Sequence, residues 1–286
     1  MGIAVTRLII PKQGNGRSEC EDACYVVPEG AASDLRTEPV AVVVSDGASE
    51  STLAREWAHH LARTMAVGFA QEPEALEGPG IAFSRVLARL GDEWEEWHAA
   101  YLRKRMAAGR PVKWFEHPKL AAGAFATALA LYVDVPGNMW PGATVVGRQR
   151  RRWLTAALGD SCLFQVRNGR LIRRFPMKSA AAFGNSPCLL GSRDRNWAEL
   201  CARTVFTRGY SEGGDELMLM TDALAAYFID CADAMSARRF ESLVHNLRVF
   251  ARTDDEPGFE EWVNRQRSAG RLRNDDVTFV HIDFMG

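Results

Sequence analysis

The chain has 286 residues, 47% of them hydrophobic and 25% charged, with a formal net charge of −1. That length is enough to bury a large core, and the near-neutral balance excludes a global field that would draw nucleic acid or an anionic membrane. No apolar run approaches the ~20 residues that span a bilayer, and six cysteines without a C-x-x-C pair suit a cytoplasmic chain with reduced, structural thiols better than a zinc protein.

The N-terminal MGIAVTRLIIPK has no basic stretch ahead of its apolar part, so it reads as a first strand over 3–10 and not as a signal peptide. Further apolar runs predict strands over 23–28 and 39–45. Ser49, Ser51 or Thr52 is placed to cap a helix on which Leu53, Trp57, Leu61, Met65 and Phe69 recur every fourth residue. Pro73 and Gly78-Pro79-Gly80 end it. A second helix carries Phe83, Leu87, Leu90, Trp94, Trp97 and Tyr101 on one face and a solvated basic tail, Arg103-Lys104-Arg105.

From about residue 120 the pattern changes to period two and continuous apolar runs. AFATALALYV, RRWLTAALGD and SCLFQVRNGRLIRRF read as strands, with Asn168-Gly169 as a hairpin turn. Pro136, Gly137, Pro141 and Gly142 mark a loop over 135–150, and Lys178 to Arg195 reads as irregular. Strands resume near 201–208 and 215–221, helices follow over 223–232, 236–252 and 257–268, and a strand over 276–284 closes the chain. This order does not alternate strand with helix, which argues against a doubly wound parallel sheet. The expected fold class is α+β: a four-layer α-β-β-α sandwich of two packed antiparallel sheets flanked by helices. No repeat or linker divides residues 1–286, so one domain is expected.

Aspartates stand at the ends of the apolar runs. Asp46 ends AVVVSDG, Asp222 ends ELMLMTD, Asp275 and Asp276 open DDVTFVHID, and Glu21-Asp22 precede ACYVV, with Arg17 just upstream. A carboxylate where a buried strand leaves the core is costly unless it is paired, hydrogen-bonded or bound to a cation. Several such groups can converge on one acidic site, and oxygen-only ligands suit hard ions such as Mg²⁺ or Mn²⁺.

These segments resemble, in order, the motifs of the metal-dependent serine/threonine protein phosphatases of the protein phosphatase 2C (PPM) type, as found in bacteria. R-x-x-x-E-D at 17–22 is similar to the first motif, SDG at 45–47 to the central Asp-Gly, and GAFATALAL at 123–131 to the Thr-containing strand. LGDSCLF at 158–164 resembles the Gly-Asp-Ser motif and is followed by an FxN-x-P-like segment at Phe183, Asn185 and Pro187. LMLMTDAL at 217–224 and NDDVTFV at 274–280 resemble the last two.

The resemblance implies a cofactor set of two Mn²⁺ or Mg²⁺ ions, or three. Asp46 would bridge two ions and the Gly47 carbonyl would bind one, with Asp222 and Asp275 completing the second. Glu21 and Asp22 would hold waters on the ions or ligate directly, and Asp160 lies where some members bind a further ion. Two cations sharing a carboxylate would lower the pKa of a shared water, which attacks phosphorus in line without a phosphoenzyme. Arg17 would clamp two phosphate oxygens with its planar fork. Implied partners are a phosphoserine or phosphothreonine protein and a cognate serine/threonine kinase; a monomer is expected.

Two residues depart from the family pattern. Ala48 stands where many members have a histidine that protonates the leaving group, so a water would supply that proton. Ala223 replaces a glycine after the metal aspartate; if that position needed positive φ, alanine would carry strain of order 1 kcal/mol. These departures motivate the alternative of a catalytically impaired relative that binds a kinase or phosphoprotein.

Overall fold

The computed structural model describes residues 2–135, 150–184 and 187–285. Of the loop expected over 135–150 only the two end residues are among these, and Asn185 lies outside them.

The chain runs β1 (Gly2–Ile10), β2 (Ala23–Val27), β3 (Val40–Ser45), α1 (Ala54–Gln71), α2 (Ile81–Ala107), α3 (His117–Ala122), β4 (Phe125–Ala126), β5 (Ala128–Val133) and β6 (Arg150–Leu158). It continues through β7 (Cys162–Arg167), β8 (Arg170–Phe175), β9 (Leu190–Gly191), α4 (Trp197–Arg203), β10 (Val205–Glu212), β11 (Asp215–Met220), α5 (Asp222–Ala234), α6 (Ala237–Arg252), α7 (Glu256–Ser268) and β12 (Val277–Met285). One five-stranded sheet has the order β1-β12-β11-β7-β8, the other β10-β6-β5-β3-β2, and β4 pairs with β9. Every pairing is antiparallel. This is the expected α+β class.

The two sheets pack face to face, and side-chain alternation shows why their strands are apolar throughout. Val40, Val42 and Val44 of β3 point between the sheets and meet the same core as Leu217 and Leu219 of β11 and Val280 and Ile282 of β12. Their neighbours Ala41 and Val43 face α1 and α2, through Trp57, Leu61, Met65, Phe69 and Leu87. On the other sheet Met218, Met220, Val277 and Phe279 face α5, α6 and α7 through Phe228, Leu247 and Phe259. A strand covered on both faces loses the polar half of its alternation. The β7–β8 hairpin turns at Asn168 and Gly169, with φ of 51° and 73°, the doubly left-handed turn that Asn-Gly favours.

Three expectations are corrected. No Ser or Thr side chain caps α1: the cap position is Leu53, at φ 66°. Ser51 instead donates to the Ala48 carbonyl and accepts from the Phe125 amide, tying the loop after β3 to β4. Residues 201–203 are not strand but the end of α4, whose start is capped by the Asn196 side chain accepting from the Glu199 amide at 3.2 Å. Ala223 is the second residue of α5 and does not have positive φ, so the expected strain is absent.

Candidate active site

Strand register decides which loops meet. Ala23 pairs with Ser45, Val44 with Leu129, and Ala128 with Leu158. The residues just beyond those pairs, Asp22, Asp46, Thr127 and Asp160, therefore share one end of their sheet. In the facing sheet Met220 pairs with Cys162 and with Phe279, and Ile10 with Val277. Asp222 and the Asp275-Asp276 pair leave that sheet at the same end, where the turn 159–161 joins β6 to β7. Residues as far apart in sequence as Asp22 and Asp276 are thus gathered at one end by strand pairing.

Each carboxylate is held by a different local device. Asp46 follows β3, where its amide donates to Thr127 Oγ1 at 3.1 Å and its carbonyl accepts from the Thr127 amide at 2.8 Å. Thr127 Oγ1 also lies 2.9 Å from Ser161 Oγ, which ties this corner to the 159–161 turn. Gly47 has no room for a side chain: a Cβ there would stand 2.9 Å from both the Ala54 and Glu21 carbonyl oxygens. Asp160 follows Gly159, whose φ of 110° suits glycine and whose Cβ position is filled by Thr127. Asp22 accepts from Thr221 Oγ1 at 2.9 Å, and that hydroxyl accepts from the Thr278 amide at 2.9 Å. Asp222 opens α5, where the helix N-terminus favours negative charge. Its Oδ2 pairs with Arg273 Nη2 at 2.6 Å. Asp276 turns inward and accepts from the Lys12 and Glu21 amides, both at 2.7 Å, locking the segment after β1 onto the start of β12. Asp275 Oδ1 accepts from the Asp276 amide at 3.0 Å.

Burial and then mutual repulsion raise the proton affinity of Asp22, Asp46, Asp160 and Asp222. Burial and then the neighbouring charges of Asp22, Asp222, Asp275 and Asp160 hold the Asp46 carboxyl well above the usual range. Asp22 is also pushed well up, by burial and by Asp276, against the pull of the Thr278 and Thr221 side chains beside it. Burial lifts Asp222, Arg273 pulls it back, and Asp275 lifts it again. Burial, aided by Asp222, moves Asp160 up to about 6. Such a set is unfavourable as an array of bare anions.

Arg17 and Glu21 stand differently. Arg17, with 64% of its side chain exposed, is ion-paired with Glu256 at the start of α7. The Glu21 side chain accepts from Ser49 and lies 3.5 Å from Lys12 Nζ, while its carbonyl accepts from the Gly47 amide at 3.2 Å. Among the described residues no group of three His, Cys, Asp or Glu side chains forms a ready-made metal site. The donor chemistry nevertheless fits a hard cation. Asp22 Oδ1 and Asp222 Oδ1 are buried and meet no hydrogen-bond donor, and carboxylate oxygens are what Mg²⁺ and Mn²⁺ take.

Four contributors have no individual role in the sequence analysis. Thr127, Thr221 and Asp276 orient the aspartates or the loops that carry them, and Arg273 is charged against Asp222. A threonine directly before Asp222 and a second carboxylate after Asp275 were visible signals. Nothing in the spacing marked Arg273.

No protein-family model matches the chain, and no curated protein does. Solved structures do. The photosystem II phosphatase PBCP superposes with a TM-score of 0.52 at 13% identity, covering 99% of this chain and 98% of that one. A bacterial serine phosphatase superposes with a TM-score of 0.50 at 10% identity, covering 99% and 98%. The chain therefore has the protein phosphatase 2C-type fold, over nearly its whole length.

Proposed function

We propose that the chain is a Mn²⁺- or Mg²⁺-dependent phosphatase of phosphoserine and phosphothreonine in proteins. The observation that supports this most is the convergence of Asp22, Asp46, Asp160, Asp222 and Asp275 at one end of the sandwich, with two buried carboxylate oxygens lacking any donor. A cation beside Asp22 and Asp46, whose proton affinity burial and neighbouring carboxylates raise, would favour their ionised form.

In this reading Asp46, the Gly47 carbonyl, Asp222 and Asp275 would hold two ions, Asp22 and Glu21 would act beside them, and Asp160 would serve a further one. Bound there, a cation pair supplies Lewis acidity and lowers the pKa of an attacking water. The chain's own residues set the geometry. Thr127 fixes the backbone at Asp46, and the Thr221 hydroxyl aims Asp22. Arg17, once free of Glu256, would grip two phosphate oxygens. Ala48 carries no proton to give, so water protonates the leaving group. The substrate would be a phosphoprotein and the opposing enzyme a serine/threonine kinase, in a cytoplasmic signalling unit.

The test is hydrolysis of para-nitrophenyl phosphate with EDTA, Mg²⁺ or Mn²⁺. Turnover only with a divalent ion supports the proposal. Folded protein inert with every ion, yet binding a phosphoprotein, would favour the second reading, a catalytically impaired binding protein. The observation on that side is Arg17, held by Glu256 on the surface.

A further inference from the structure

Among the described residues one ion pair reaches the five grouped aspartates, and it is Arg273 with Asp222. The other cations at this end have different partners. Arg17 pairs with Glu256, Lys12 lies against Glu21 and Ser49, and Arg267 donates to the Pro11 and Asp275 carbonyls and to Asn264. Arg273 lies in the link between α7 and β12, two residues before Asp275. The carboxylate it holds is one whose second oxygen is buried and without a donor.

We infer that Arg273 is an internal counter-cation of this site and competes with the divalent ion for Asp222. The inference rests on the metal reading above. A divalent ion sits ~2.0–2.6 Å from a carboxylate oxygen, and the guanidinium nitrogen stands 2.6 Å from Asp222 Oδ2. An ion on Asp222 Oδ1 would stand across the same carboxylate from Arg273 on Oδ2, in close like-charge proximity to it. The Arg273 side chain is 48% exposed, against 13% for Asp222, so the guanidinium can swing into solvent while the carboxylate stays. Metal binding then includes the cost of breaking the pair. In return, the metal-free protein is spared one uncompensated charge in the cluster.

The test compares Mn²⁺ affinity by isothermal titration calorimetry in the wild type, Arg273→Gln and Arg273→Lys, with thermal melts in EDTA. Arg273→Gln should bind Mn²⁺ about tenfold more tightly, or ~1.4 kcal/mol, and should melt lower than wild type without metal. Arg273→Lys keeps the charge and should stay within about twofold of wild-type affinity. If Arg273→Gln folds poorly in EDTA, it is prepared with Mn²⁺, and the rise in melting temperature with added Mn²⁺ should exceed that of wild type. Equal or weaker Mn²⁺ affinity in Arg273→Gln, or a lysine variant as tight as the glutamine one, overturns the inference and leaves the metal reading intact. Absence of Mn²⁺ binding in all three proteins overturns the metal reading and the inference with it.

Discussion

Asp160→Asn should stabilise the metal-free protein, and only where the carboxyl would be charged. Asp160 is buried, and burial together with the charge of Asp222 moves its carboxyl from 3.8 up to about 6. A raised folded pKa contributes stability that is complete below the unfolded value and is lost as pH rises through the folded one. At pH 8 the ionised side chain therefore weakens the fold by about 3 kcal/mol relative to its neutral form, and at pH 4 by less than ~1 kcal/mol. Asparagine has nearly the same shape and no charge. In EDTA at pH 8 the variant should melt about 5 °C above wild type; at pH 4 the two should agree within about 1–2 °C. Mn²⁺ should shrink the gain at pH 8, because a cation offsets the same charge. The assay is circular-dichroism melting at the two pH values, with EDTA and with Mn²⁺. A variant no more stable than wild type at pH 8, or equally stabilised at both pH values, would refute the reasoning.

Two further substitutions test other parts of the site. Gly47→Ala places a Cβ 2.9 Å from two backbone carbonyl oxygens, which cannot yield as a flexible side chain does. It should cost about 1–3 kcal/mol by denaturant titration and lower Mn²⁺ affinity, and a neutral effect on both would mean that the loop after β3 gives way easily. Arg17→Ala should raise KM for a phosphothreonine peptide about tenfold or more with kcat less affected. Because Arg17 is surface-paired with Glu256, stability should change by less than about 1 kcal/mol. An unchanged KM would remove Arg17 from the phosphate site.

Much of the architecture was legible because it rests on short-range periodicity. Val40 to Ser45 reads as a strand from its unbroken apolar run, and Trp57, Leu61, Met65 and Phe69 declare a helix face. The aspartates were visible because a charge at the end of such a run is out of character. Local signals failed where another contact overrode them. Ser51 has the chemistry of a helix cap but is taken by Ala48 and Phe125. The seven-residue α4 is announced mainly by Asn196, inside a stretch rich in turn formers. Side-chain pairing was the least legible of all. Arg17 and Glu256 lie 239 positions apart, and Arg273 reaches Asp222 across 51. Spacing carries no information about such pairs until register has placed the strand ends together.

The most direct measurement is turnover of a phosphothreonine peptide by wild type and Asp46→Asn, each with Mn²⁺ and with EDTA. The account predicts turnover in the wild type with Mn²⁺ alone, and a loss of at least about 100-fold in the variant with its fold intact. Equal turnover in Asp46→Asn, or turnover that survives EDTA, would contradict it.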